Sequence, residues 1–174
     1  PRHAVVARRR HLKRTANIAG KVTGISHATK TATITPNEGE AFDFTYDHIV
    51  VTTGSVSRTF PIPGVADNAI GMKTIEEAVS VRDRLVDNFE RAASLPAGSP
   101  ERARLLTVTV VGGGFAGIET ISELRSFATS LLRRYPEITF DETKFHLVEA
   151  MGRIMPEVTE GLADWVVADQ TRRG

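Results

Sequence analysis

An α/β fold is predicted, from three observations. The apolar run LLTVTVV (105–111) stops at three glycines, and helical periodicity follows at once. A second apolar run, KFHLVEA (144–150), contains an acid near its end and precedes another helical pattern at 160–172. Upstream, three short runs rich in β-branched or aromatic residues succeed one another, as in an antiparallel meander. The downstream part therefore reads β-α-β-α, an alternation that implies a parallel sheet with right-handed crossovers.

In chain order, residues 4–14 read as a short basic helix whose few apolar positions are Val5, Val6 and Leu12. NIAGKVTGI (17–25), KTATITP (30–36) and AFDFTY (41–46) are the meander strands, with a turn at PNEGE (36–40). HIVVTTG (48–54) is a continuous apolar run ending at glycine, which predicts a strand buried on both faces. Pro61, Pro63 and Gly64 make 55–68 a loop. Thr74 and Glu77 have capping-box spacing, and Ile75, Ala78, Val79, Leu85, Val86 and Phe89 form one helical stripe. ASLPAGSPER (93–102) is the most linker-like stretch. Ile118, Ile121, Leu124, Ala128, Leu131 and Leu132 give the next helix its apolar face, and RRYPEITFDET (133–143) reads as an extended loop. Thr159 is placed to cap the last helix, whose Leu162, Trp165, Val166 and Ala168 are expected to pack on the sheet.

Composition narrows the function. The 174 residues are 41% hydrophobic and 25% charged, as in globular proteins, and the net charge of +1 argues against a polyanionic partner such as nucleic acid. The absence of cysteine excludes a disulfide framework, a zinc-thiolate centre and a redox dithiol within these residues, and it fits a reducing, cytoplasmic location. No run reaches the roughly 18–20 apolar residues of a membrane span. No apolar segment follows the charged N-terminus, so it does not read as a signal peptide; the start at proline suggests a processed or excised piece. The five histidines show no metal-binding spacing. The cluster ARRRHLKR lacks interleaved aromatics and reads as a solvated face, and Arg102, Arg104, Arg133 and Arg134 read as ordinary surface charge.

Gly112, Gly114 and Gly117 form G-x-G-x-x-G between a strand and a helix, the context in which that string binds a dinucleotide. Gly112 permits the turn, Gly114 lets a pyrophosphate approach the backbone, and Gly117 lets helix and strand pack closely. N–H groups and the dipole at the helix start attract the phosphates. Glu149 is the candidate for the adenosine ribose hydroxyls, which favours NAD(H) over NADP(H). It lies 32 residues beyond Gly117, against about 20 in the usual fingerprint. Arg153, close by, complicates that preference. Glu119 is expected in the helix's first turn, where the dipole favours an acid in any case.

YDHIVVTTGSVSRTFPIPG, GMKTIEEAVSVRDRLVDNFERAA, VTVVGGGFAGIETISEL and FHLVEAMGRIMPE, in this order, resemble the type II NADH dehydrogenases over nearly the whole chain. The resemblance implies a single-chain, two-dinucleotide-binding-domain flavoprotein that passes hydride from NADH to FAD and electrons to quinone. It implies that this chain is its middle. Residues 1–73 would be the inner part of the FAD domain, with its meander and buried strand. Residues 74–103 would be a connecting helix and linker, and 104–174 the first β-α-β-α of the Rossmann-like NADH domain. It further implies that Thr53 and Gly54 lie at the flavin-contacting turn and that the backbone of Val22 meets the FAD adenine. Gly112, Gly114, Phe115, Ala116 and Gly117 would form the NADH pyrophosphate loop, Glu149 the ribose acid, and Glu119 a catalytic glutamate near nicotinamide and flavin. The parent enzyme would dock peripherally on the cytoplasmic face of a membrane. The segment alone is expected to be inactive, and to need the remainder of its own chain or a homo-oligomer partner. Two other readings stay open: a stand-alone adenine-nucleotide-binding module without redox chemistry, and a flavoprotein reductase of the same fold with a non-quinone acceptor.

Overall fold

The computed structural model describes residues 5–57 and 61–173. The chain forms two compact units, Pro1–Ala78 and Val79–Gly174.

In the first unit the meander takes shape as expected. β1 (Gly20–Ser26), β2 (Thr31–Pro36) and β3 (Phe42–Thr45) form an antiparallel sheet in that order. The β1–β2 register shifts between Val22 and Gly24, a bulge that bends β1. At Gly20 the strands approach so closely that a Cβ would stand 2.6 Å from the Thr35 carbonyl oxygen. Val22, Ile34 and Phe42 align across the strands, as do Ile25, Ala32 and Phe44. Val22, Ile25, Phe42 and Phe44 are exposed, and only Ala32 of these residues is fully buried. The basic helix α1 is confined to Arg8–His11, with Val5, Val6 and Leu12 exposed.

The buried strand expected at 48–54 does not form. No described segment pairs with it, and Val50 is 81% exposed. A continuous apolar run becomes a strand only when neighbours supply the ladder, and here none does. Arg58, Thr59 and Phe60 of the quoted GSVSRTFPIPG motif lie outside the described residues. Beyond them come the short helix α2 (Val65–Asn68) and the long helix α3 (Ile75–Ala93). The capping box is present: the Glu77 N–H donates to Thr74 Oγ1 at 3.1 Å, and the Thr74 N–H donates to Glu77 Oε2 at 2.9 Å. The same carboxylate accepts from Ser57 and from the Lys73 N–H, so it secures the loop as well as the helix.

In the second unit, α4 (Pro100–Leu105) leads into β4 (Thr107–Val111), α5 (Phe115–Leu132), a 3-10 turn (Phe140–Glu142), β5 (Lys144–Val148) and α6 (Glu160–Arg173). β4 and β5 pair in parallel from Thr107↔Lys144 to Val111↔Val148. The pairing extends at both ends, with Lys144 N–H donating to Leu106 O and Gly112 N–H donating to Val148 O. The core joins Leu85, Phe89 and Ala92 of α3 to Leu105, Leu106, Ile138, and Ala128 and Leu131 of α5, with Val108 and Phe145 packed against it. The sheet itself is only half covered, and Val111 and Val148 are exposed. In α6 only Ala163 is buried, while Leu162 and Trp165 face solvent rather than packing on the sheet. Along α5, Ser122, Ser126, Thr129 and Ser130 each donate to the carbonyl four residues back.

The stretch read as linker holds an anchor. Ser99 caps α4, Pro100 opens it, and Arg102, expected at the surface, is 4% exposed. Its guanidinium makes a two-pronged contact with the Glu142 carboxylate, at 2.7 and 2.9 Å. It also donates to the carbonyls of Ala92, Leu95 and Glu137. A buried cation is tolerable only when paired and fully hydrogen-bonded, and this one is. It ties the end of α3, α4 and the 133–143 segment together, so that segment is not a slack loop.

Replacing Arg102 by Met should cost about 3 kcal/mol, because the carboxylate and the carbonyls lose their donor; urea unfolding checks this. The Arg102 hydrogen bond, with the Thr139 N–H, holds the Glu142 carboxyl below its ordinary value. A lowered folded pKa gives stability that is complete above the unfolded carboxyl's titration and declines as pH falls through the folded value. Glu142→Gln should flatten that acid limb in melts recorded against pH.

Candidate functional site

The site is built where β4 ends and α5 begins. Gly112 has φ +112°, a left-handed conformation that favours glycine. At Gly117 a Cβ would stand 1.8 Å from the Gly112 carbonyl oxygen and 3.7 Å from Leu147 Cδ1. Gly117 therefore sets how closely α5 approaches the strand ends. Gly114 differs from both. Its φ of −73° is open to any residue, and a Cβ there would meet nothing within 4 Å. No internal packing requires this glycine; its missing side chain leaves an approach from outside. Gly114 is also the N-cap of α5, and no side chain caps the helix. Phe115 and Ala116, exposed, follow in its first turn. The arrangement offers uncompensated N–H groups and the positive end of a dipole to an anion.

Glu149 follows β5 directly and reaches this loop. Its Oε2 accepts from the Gly113 N–H at 2.5 Å and its Oε1 from the Met151 N–H at 2.8 Å. These backbone donors, Met151 first and Gly113 next, hold its carboxyl below the ordinary carboxylate range, so it is ionised at neutral pH. An ionised carboxylate has about four acceptor positions, and Met151, Gly113 and, least, Ala150 do not fill them all, so a ribose hydroxyl can still donate. Arg153 is not free to greet a phosphate: Nη1 donates to Met155 O, and Nη2 to Pro156 O and Val158 O.

Glu119 is exposed and lies one residue past the first turn of α5, where the dipole argument for an acid weakens. Among the described residues it has no hydrogen-bond or ion-pair partner, so packing does not explain it either. The other three candidates belong to the first unit. Val22 sits at the β1 bulge, opposite Ile34. Thr53 and Gly54 lie in an exposed, unpaired segment, and Gly54 has φ +74° with open space around it. No hydrogen bond among the described residues links Val22 to that turn.

Two participants were not singled out from the sequence. Gly113 is buried, and a Cβ there would stand 2.9 Å from both Glu149 Oε2 and Ile154 Cγ2. The unbroken GGG was its signal, since the motif requires glycine only on either side of it. Met155 has φ +48°, and its N–H donates to Gly113 O at 2.8 Å. Nothing in its residue type announced that.

Residues 4–174 match the model of the pyridine nucleotide-disulphide oxidoreductase family. The chain belongs to that family. It is 41% identical over 121 residues to external NADH-ubiquinone oxidoreductase 2, mitochondrial, of Saccharomyces cerevisiae, covering 68% of this chain and 22% of that one. It is 40% identical over 115 residues to a probable NADH dehydrogenase of Dictyostelium discoideum, covering 66% and 26%. Among solved structures, NDH2 from Plasmodium falciparum in complex with NADH superposes with a TM-score of 0.70 at 26% identity, covering 88% of this chain and 31% of that chain. The resemblance to type II NADH dehydrogenases read from the motifs is thus shown by sequence and by fold. The chain spans about a quarter of the length of these curated relatives.

The geometry separates the glycines by job. Gly117→Ala should destabilise the second unit by about 3 kcal/mol, since a backbone carbonyl stands where the methyl must go. Gly114→Ala should cost far less, about 1 kcal/mol or below, through the poorer N-cap alone. Thermal melts of the two variants side by side check the contrast.

Proposed function

We propose that this chain is the NADH-binding part, with a portion of the FAD-binding part, of a flavin-dependent NADH:quinone oxidoreductase. The observation that carries the reading is Gly114: among the described residues nothing lies where its side chain would go, and its open side leads to the uncapped start of α5. A pyrophosphate approaching that backbone accounts for both facts. The names of the Saccharomyces and Dictyostelium relatives, and the NADH complex of the Plasmodium enzyme, support NADH as the dinucleotide and quinone as the acceptor.

In this reading the amides of Phe115, Ala116 and Gly117 hold the pyrophosphate. Glu149 accepts from the adenosine ribose and repels a 2′-phosphate. Thr53 and Gly54 offer an open backbone turn to the flavin, and the backbone of Val22 contacts its adenine. FAD, when bound, supplies the acceptance of hydride from NADH and the onward passage of electrons to quinone. Glu119 contributes a carboxylate that no interaction among the described residues uses, near nicotinamide and flavin in this reading, to orient the one against the other. The parent enzyme associates peripherally with a membrane. Among the described residues no helix is long and apolar enough to cross one. The apolar meander face is covered by the remainder of the chain or by a second copy.

Calorimetric titration tests this directly. NADH and ADP-ribose should bind, and NADPH more than about tenfold more weakly, because a phosphate would face the ionised Glu149. Gly114→Val should abolish binding while costing no more stability than a lost glycine N-cap, about 1 kcal/mol. If neither NADH nor ADP-ribose binds, the proposal fails. In the flavin-loaded enzyme, Glu119→Gln should slow bleaching of the flavin band by NADH while leaving the NADH dissociation constant unchanged. Stopped-flow absorbance measures the first and titration the second.

A further inference from the structure

We propose that Arg153 is a positioning residue for the pyrophosphate loop, acting through Met155 and Gly113 rather than by touching the nucleotide. The inference rests on the nucleotide-binding reading above and adds a part to it. Its starting point is a convergence of three carbonyl oxygens on one cation: Met155 O at 3.1 Å from Nη1, and Pro156 O at 2.9 Å and Val158 O at 3.0 Å from Nη2. Carbonyl dipoles that point together repel unless a positive charge lies among them. The planar guanidinium, with donors fixed in a fork, suits that place.

The turn held in this way contains Met155 at φ +48°, a conformation uncommon outside glycine, with its side chain buried. A strained residue persists where its surroundings over-determine it. What the conformation achieves is visible at its N–H, which donates to Gly113 O at 2.8 Å. The Gly113 N–H in turn donates to Glu149 Oε2 at 2.5 Å. The peptide groups on both sides of Gly113 are therefore gripped by one segment, Glu149 to Val158, and Arg153 is the charge that keeps the far half of that segment folded. Gly112 and Gly114 flank the gripped residue, and glycines resist rotation poorly. Without the grip, the amides of Phe115 and Ala116 would have no fixed aim. Arg153 thus serves pre-organisation of the phosphate site. Its donors are committed to carbonyls, so a 2′-phosphate would have to displace them.

The test compares wild type, Arg153→Lys and Arg153→Met by titration with NADH, NADPH, ADP-ribose and adenosine, the last followed by chemical-shift change. Loss of charge-assisted hydrogen bonds to the turn should weaken NADH and ADP-ribose by about tenfold in Arg153→Met. NADPH should weaken by the same factor, and adenosine, which lacks phosphate, should be unaffected. Arg153→Lys should recover part of the loss. Amide exchange provides a second reading in the better-folded Lys variant: the Gly113 and Met155 amides should exchange faster while those of Leu106 and Lys144, bonded to Arg102 O and Leu106 O, stay protected. Unchanged NADH affinity and unchanged Gly113 exchange would overturn the proposal. So would equal loss of adenosine binding, which would mean general disruption, or selective loss of NADPH, which would mean direct phosphate recognition. If wild type binds no dinucleotide, the underlying functional reading fails, and Gly113 exchange still reports whether Arg153 holds the loop.

Discussion

Between the Gly112 carbonyl and the Cα of residue 117 there is no room for a methyl group, and the geometry of the second unit follows from that approach. Because α5 can press against the end of β4, its N-terminus opens at the carboxyl ends of both strands. The parallel pairing of β4 with β5 then carries Glu149 to the same edge, where it meets the Gly113 amide. A bulkier residue at 117 would push the helix away, and the dipole, the free amides and the acid would no longer share a site. The shape of this edge thus depends on a close contact that involves no ligand at all.

The other end of the same two strands is held by different means. Arg102 is buried among carbonyls and one carboxylate, and it closes the region where α3, α4 and the 3-10 turn meet. One end of the unit is therefore fixed by the absence of side chains and the other by a large charged one. The two arginines that matter most here, 102 and 153, are alike in spending their donors mainly on backbone carbonyls. Arg102 does so buried and Arg153 at the surface; at the buried one, a delocalised and weakly hydrated charge costs less to cover than an ammonium group.

Much of this was legible from residues alone. The glycine loop, the capping box at Thr74 and Glu77, the meander and the acid after β5 are local patterns, and local patterns report on local geometry. Other features depend on partners far along the chain. Hydrophobicity at 48–54 shows a preference for burial but does not name the strand that would pair with it, and no described segment does. Arg102 looked like surface charge because its partners come from residues 92 to 142, a convergence no window of sequence displays. Trp165 was expected inside on size and apolarity, yet α6 buries only Ala163. The spacing of Glu149 was atypical for a physical reason now visible: the extra residues form the segment that Glu142 ties to Arg102, so the added length does not loosen the site.

The hydroxyls of α5 carry one more implication. Ser122, Ser126 and Ser130 recur every fourth residue, and each donates to the carbonyl one turn earlier. A stripe that looks hydrophilic in sequence has its donors already satisfied by its own helix. Another protein surface could therefore lie along it without stranding a hydroxyl donor, so for dehydration this strip resembles alanine more than serine.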